Sequence, residues 1–284
     1  MYDEFLETFQ SERIIDTSDY ARRLAIFEET LKGIIEHNQN PANTWKKGIS
    51  AYTDMTEEEF MEYFHLNVRD EQQCSATASP VKSYNVGVPS NFDWRNVEKT
   101  VTPVKNQRNC GSCWTFSTIG AMESHYWLAT KTSGNFSEQQ LVDCVGKNYD
   151  CYGCRGGLPS YAFNYIKDHG LTDEDTYEYT AKDEVCYFEP KMSVVTTDGP
   201  FNITAYNEAQ LTESLYHEGP ISVAFQVVAG FKDYASGVYH SDVCKNGPMD
   251  VNHAVLAVGY GVDGSSNLPF YSIKNSWGDS WGNK

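Results

Sequence analysis

The run Gln107-Arg108-Asn109-Cys110-Gly111-Ser112-Cys113-Trp114 sets a cysteine directly before a helical pattern from Trp114 to Leu128, with Trp114, Ile119, Met122 and Tyr126 on one face. A thiol at that point feels the positive end of the helix dipole, which favours its anion, the nucleophilic form. Far downstream, Val251-Asn252-His253-Ala254 supplies an imidazole and Lys274-Asn275-Ser276-Trp277-Gly278 a carboxamide. Cysteine, base and orienting amide are the set that nucleophilic acyl transfer needs: His253 holds the thiolate as an ion pair, and Asn275 holds the far ring nitrogen of His253. Gln107 is placed to donate its side-chain amide to a developing oxyanion beside the Cys113 N–H, an interaction typically worth about 3 kcal/mol. Singly, such a cysteine is usually inert and such a histidine a satisfied polar group. The conjunction carries the reading.

Eight cysteines in 284 residues fit either metal ligation or disulfides around a reactive thiol. Cys110-x-x-Cys113 and Cys151-x-x-Cys154 form a double C-x-x-C, which suits zinc. Against zinc, the intervening segment reads as a long helix rather than a compact knuckle, and metal ligation gives no use for the Gly-Ser-Cys-Trp filling.

Outward from this centre the chain changes character twice. Downstream, Ile221–Phe225, Ala254–Val258 and Phe270–Ile273 are short β-branched or aromatic runs between Gly, Asn and Asp, and they read as strands. Upstream, Tyr20, Leu24, Phe27, Leu31, Ile34 and Ile35 recur at spacings of three and four, an amphipathic helix over 20–38. Between helix and centre lies a polar connector, residues 70–87, open to proteolysis.

The net charge of −17 sets the chain against nucleic acid and anionic membranes as partners. Residues 1–77 carry 16 acidic and 7 basic side chains and residues 88–284 carry 23 and 14, so both parts are negative. They repel each other less in acid, which suits an acidic compartment and equally a merely soluble surface. The sequons Asn135-Phe136-Ser137 and Asn202-Ile203-Thr204 lean towards the secretory pathway and a glycoprotein. No apolar run is long enough to span a bilayer. No signal peptide opens the chain, so a secretory form is expected to begin further upstream.

The Cys-Gly-Ser-Cys-Trp run with its distant His and Asn resembles the papain-like cysteine peptidase family. Asp19, Arg23, Phe27, Thr30, Ile34 and Asn38 match the spacing of that family's inhibitory-propeptide helix, and Gly48, Ser50, Tyr52 and Asp54 that of its second propeptide motif. The resemblance implies an α+β zymogen: a helical inhibitory prodomain (1–69), then a papain-like two-lobe fold with a helical lobe (88–200) and a β-barrel-like lobe (201–284). It implies catalytic Gln107, Cys113, His253 and Asn275. Gly156 and Gly157 would pair with extended substrate, Pro159, Ala224, Val251 and Ala254 would line the main side-chain pocket, and Trp277 would cover the His–Asn bond. It pairs Cys110 with Cys154 and Cys144 with Cys186, leaves Cys113 free and gives Cys151 no partner. It implies no cofactor and no metal, a monomer acting on peptides, inhibition by its own prodomain and by cystatin-like proteins, and a lysosomal or vacuolar site of action. Arg108 departs from the Gly common in relatives, and strains the turn if that position needs positive φ.

Within the family, Asp70-Glu71-Gln72-Gln73-Cys74-Ser75-Ala76-Thr77 resembles the octapeptide that the aminopeptidase subfamily of cathepsin H type retains after maturation as a tethered mini-chain (70–77), ahead of a discarded connector (78–87). The carboxylate of Thr77 would then receive the substrate α-ammonium. An endopeptidase of cathepsin L type is the alternative. From another class, an inactive homologue could act as a binding or inhibitory protein, against which the intact Cys113, His253, Asn275 and Gln107 speak. Relatives continue past Lys284 with two further cysteines, the expected partners of Cys74 and Cys244, so the chain reads as a fragment.

Overall fold

The computed structural model describes residues 1–9, 17–66, 84, 87–245, 247 and 250–283. The N-terminal unit contains α1 (Tyr2–Phe9), α2 (Tyr20–Gln39), the short strand β1 (Trp45–Lys47) and α3 (Glu57–Tyr63). Of the α2 stripe, Phe27 and Ile34 are buried and Leu24 and Leu31 pack on the core, but Tyr20 and Ile35 are exposed. The helix therefore buries a narrower face than its sequence periodicity predicts.

The polar motif residues of this unit are its fasteners. Arg23 donates to Asp54 O at 3.0 Å and to Glu59 at 2.8 Å, tying α2 to α3. Asn38 binds both the N–H and the C=O of Lys47 at 2.9 and 2.8 Å, fixing β1 against α2. Thr56 and Glu59 form a reciprocal capping box that starts α3. Gly48 is required by close approach: a Cβ there would lie 2.8 Å from that of Ala235.

The remaining chain begins with β2 (Phe92–Asp93), followed by α4 (Cys113–Thr130), α5 (Glu138–Cys144), α6 (Pro159–His169) and α7 (Glu208–His217). Strands β3 (Ile221–Phe225), β4 (Tyr234–Gly237), β5 (His253–Val262) and β6 (Pro269–Lys274) complete it. All three strands expected from the sequence are present. Helix α4 is buried continuously from Trp114 to Ser124, with α5 and α6 contributing to the core on one side and β5 on the other. It is an internal helix rather than a surface one, which explains why its apolar face is hard to delimit.

Strand β5 organises the sheet. Every pairing is antiparallel: β3 covers its first half, β2 pairs at Gly259 and Tyr260, and β6 runs along the opposite edge. Residues 92–93, which the sequence division assigns to the helical lobe, thus belong to the sheet of the other lobe. A second, two-stranded sheet joins β1 to β4, with Trp45 opposite Gly237. The N-terminal unit is therefore hydrogen-bonded into the body of the protein as an added strand. Lys105 bridges Glu123 of α4 and Glu138 of α5 at 2.9 and 2.8 Å, a buried ionic link in the helical lobe.

Candidate active site

Cys113 is the first residue of α4 and His253 the first of β5, so helix start and strand start meet across the cleft. The Ala254 N–H donates to Cys113 Sγ at 3.5 Å. Packing across this junction is close: Ser117 Oγ donates to Val255 O at 2.7 Å, and a Cβ on Gly120 would stand 3.0 Å from a Leu256 methyl. These contacts leave little freedom for the thiol and imidazole to drift apart.

His253 is 1% exposed. Its Nε2 lies 2.7 Å from Asn275 Oδ1. A carboxamide oxygen only accepts, so Nε2 carries the hydrogen and Nδ1 keeps the lone pair. Nδ1 has no hydrogen-bond partner among the described residues, which leaves it free to act as base. The ring stacks on Trp277 at 4.7 Å between centroids and meets Phe225 edge-on at 5.8 Å, an apolar wall that shields the Asn275 bond.

Gln107 is fully buried. Its backbone N–H donates to Ser276 O at 2.8 Å, its side-chain oxygen accepts from Ser276 Oγ at 2.7 Å, and its amide donates to Cys110 O at 2.9 Å. One amide hydrogen remains for a developing oxyanion. Ser276 was not singled out from the sequence; its place beside Asn275 was the only signal.

Arg108 adopts φ 53°. The turn does demand the left-handed region, and an arginine fills it. Arg108→Gly is accordingly expected to stabilise the protein by up to about 1 kcal/mol, since relief of the left-handed strain outweighs the extra freedom glycine gains when unfolded. For a chain of this size that is a rise in Tm of about 2–4 °C per kcal/mol, readable by calorimetry; an unchanged or lower Tm would show that the turn is not strained.

Gly156, Gly157, Pro159, Ala224, Val251 and Ala254 line one cleft of about 510 Å³ together with Cys113 and His253. Gly157 has no room for a side chain, because a Cβ would lie 2.6 Å from the Trp114 ring. Trp277 is not on this surface. It is wholly buried, sandwiched between His253 and Phe64 of the N-terminal unit, whose centroid is 4.9 Å away. Thr77 and Cys74 lie outside the described residues.

The disulfides Cys110–Cys154 and Cys144–Cys186 are both formed. Cys110 and Cys154 are thereby unavailable as thiolates, and the double C-x-x-C is not a zinc knuckle. Cys151 is a buried free thiol, pushed up to about 12 by burial, and Cys244 is an exposed one.

Burial also pushes the Cys113 thiol up to about 11, outweighing the N–H donors at its sulfur, and pushes His253 down to about 4 despite Asn275. The expectation of a depressed thiol is corrected for this state. With the N-terminal unit docked, burial disfavours the thiolate and the imidazolium alike.

The cause is visible in the packing. Phe60 and Phe64 sit on Trp277 at 5.1 and 4.9 Å, Tyr52 Oη donates to Trp277 O at 2.9 Å, and Asn252 Nδ2 donates to Leu66 O at 3.0 Å. His65 lines the cleft beside Gly111 and Cys113. The N-terminal unit thus covers the wall behind His253 and reaches the cleft itself.

Residues 88–284 match the papain family cysteine protease, and residues 2–60 the cathepsin propeptide inhibitor domain I29. The chain belongs to the papain family of cysteine proteases. As a papain-family zymogen it is 46% identical to cysteine proteinase 3 of Solanum lycopersicum, over 95% of this chain and 74% of that protein. It is 41% identical to pro-cathepsin H of Bos taurus, over 97% and 81%. Among solved structures, procathepsin L2 from Tenebrio molitor larval midgut superposes with a TM-score of 0.88 at 33% identity, over 99% of this chain and 90% of that one. Papain-family relatives of both cathepsin names are therefore similar to it.

Proposed function

We propose that Cys113, His253, Asn275 and Gln107 hydrolyse peptide bonds through a thioester acyl-enzyme, and that the mature enzyme is an aminopeptidase of cathepsin H type. The observation that carries the chemistry is the free Nδ1 of His253, with Nε2 bound by Asn275, across from a thiol at a helix N-terminus. Once the prodomain leaves and water enters, the proton passes from Cys113 to His253 Nδ1. The thiolate attacks the scissile carbonyl carbon, and the Cys113 N–H and the Gln107 amide take the oxyanion. His253 then returns the proton to the leaving amine, and water hydrolyses the thioester by the reverse sequence.

The aminopeptidase reading rests on Cys74-Ser75-Ala76-Thr77 and on the likeness to pro-cathepsin H. The cleft supports it by its extent: beyond Gly156 and Gly157 it runs on to Tyr206 and Leu211, room for a retained segment beside the substrate. The likeness in fold to procathepsin L2 favours the endopeptidase alternative. Work in an acidic lysosome or vacuole, as a monomer restrained by cystatin-like inhibitors, belongs to the same proposal.

An amino-acid amide with a free N-terminus is expected to be cleaved with a kcat/KM about 10-fold or more above its N-acylated form, because a Thr77 carboxylate pairs with the ammonium in a partly dry cleft. In enzyme whose Cys74 is disulfide-bonded to the partner the family implies, Cys74→Ala is expected to release the mini-chain and reverse that preference. A wild-type enzyme that prefers blocked peptides, with Cys74→Ala changing nothing, would leave the endopeptidase reading.

A further inference from the structure

His37, on the last turn of α2, has both ring nitrogens engaged. Nε2 lies 3.1 Å from Trp45 O, and Nδ1 lies 3.1 Å from Asn43 Nδ2. A carbonyl only accepts, so Nε2 carries a hydrogen. The same Asn43 Nδ2 donates to His37 O at 2.8 Å, which turns the amino group of that carboxamide towards the histidine. An amide nitrogen only donates, so Nδ1 holds a lone pair and the imidazole is neutral.

A second ring proton has no acceptor in this arrangement. On Nδ1 it would face the Asn43 amino group, and turning the carboxamide over would set its oxygen against His37 O. The charges around the ring do not favour it either. Lys46 and Lys47 of β1 oppose a further cation, and Asp233, which faces the ring from just before β4, is already paired with Lys47 at 3.6 Å and Lys232 at 2.8 Å. Glu36, the neighbour on α2, is exposed, and Tyr234 and Tyr239 beyond Trp45 are neutral phenols. The Trp45 ring, 4.1 Å away between centroids, would attract an imidazolium and offset part of the loss. Burial, with Lys47 and Lys46, nevertheless holds His37 below the ordinary imidazole value against the Trp45 carbonyl and Asp233.

The bonds between His37 and Asn43 close the turn that presents the docked strand. Asn43 precedes Thr44, whose hydroxyl donates to Val238 O at 2.7 Å and whose C=O accepts from the Val238 N–H at 3.1 Å. Trp45 then opens β1 opposite Gly237 of β4, its ring edge-on to Tyr239 at 4.9 Å.

We propose that His37 and Asn43 form a pH-sensitive clasp on the prodomain: protonation of His37 breaks the bond to Asn43 and loosens the pairing of residues 44–47 with 234–238. The inference is independent of whether the mature enzyme is an aminopeptidase or an endopeptidase. Because the docked state takes the proton less readily than the released one, docking is at full strength above the ordinary imidazole value of about 6.5 and weakens as the pH falls below it.

Hydrogen exchange in a Cys113→Ser zymogen, which lacks the nucleophile for self-processing, tests this. The readout is the protection factor of the Val238 N–H, with the β5 amides that pair with β3 as internal reference. Between pH 7 and pH 5 the Val238 protection is expected to fall about 3- to 10-fold relative to that reference. His37→Gln can still donate to Trp45 O but does not titrate, and should reduce the fall to less than about 2-fold. Asn43→Asp offers a carboxylate that accepts from a protonated Nδ1, so there the fall should vanish or reverse. A merely structural turn would lose protection equally at both pH values in the variants and keep the parent's pH dependence. An undiminished fall in either variant, or no fall in the parent, overturns the proposal. Should a variant leave β1 undocked at pH 7, the titration of the parent imidazole by nuclear magnetic resonance decides: a His37 that titrates below the ordinary value supports the clasp, and one that titrates at or above it overturns it.

Discussion

Cys113→Ser is expected to fold normally and to lose turnover by on the order of 10⁴-fold or more. The side chain is almost isosteric, and its one contact across the cleft is the Ala254 N–H, so folding has nothing to lose. The chemistry depends on an anion that a hydroxyl does not reach at working pH, even with His253 Nδ1 as base. Asn275→Ala should be milder, about 10²-fold, because it frees the imidazole to rotate without removing it. Far-ultraviolet dichroism would check the fold and a peptide-amide assay the rate. A serine variant that turns over at the wild-type rate would refute the covalent mechanism.

Phe60→Ala is expected to weaken inhibition by the prodomain by on the order of 10²–10³-fold, from about 3–5 kcal/mol of lost packing. Phe60 is completely buried, contacting Trp277, Tyr52 and Phe64 at 5.1, 5.5 and 5.1 Å. The inhibition constant of residues 1–69 added to mature enzyme would measure it. A variant that inhibits as well as the parent would move the docking energy to the β1–β4 strand pair.

The same assay separates two carboxylates of opposite sign. Burial raises Glu59, but the hydrogen bonds from the Thr56 N–H, Arg22 and Arg23 outweigh it and hold it below the usual range. Its contribution is therefore present above the ordinary carboxylate pKa and fades as pH falls through the depressed value. Glu57 is raised by burial against Gly230, despite Lys232 and Lys47 nearby, so its protonation favours the docked state and opposes acid release. Weaker inhibition at about pH 3.5 than at about pH 5 is expected as Glu59 protonates, with Glu59→Gln shrinking the difference and Glu57→Gln enlarging it. Equal inhibition at both pH values would remove these carboxylates from the account.

What the sequence determined by itself was local. The start of α4 beside Cys113, the three strands at 221–225, 254–258 and 270–273, and the α2 stripe are each written in one short continuous run, where periodicity and turn residues act directly on the backbone. His253 and Asn275 could be chosen because family spacing stood in for distance. Tertiary structure alone decided what meets across long separations: Thr44 binding Val238, 194 residues away, as β1 joins β4, and β2 crossing to β5. Strand edges carry backbone groups that look alike in every sequence, so nothing local marks the partner. The state of the site was hidden for the same reason. The His253 ring stacks on Trp277, which Phe60 and Phe64 cover from the distant N-terminal unit, and the Ser112 hydroxyl meets Tyr179, 67 residues further along. Burial and competition for hydrogen bonds belong to the assembled fold, and they turn the same residue types into a latent site.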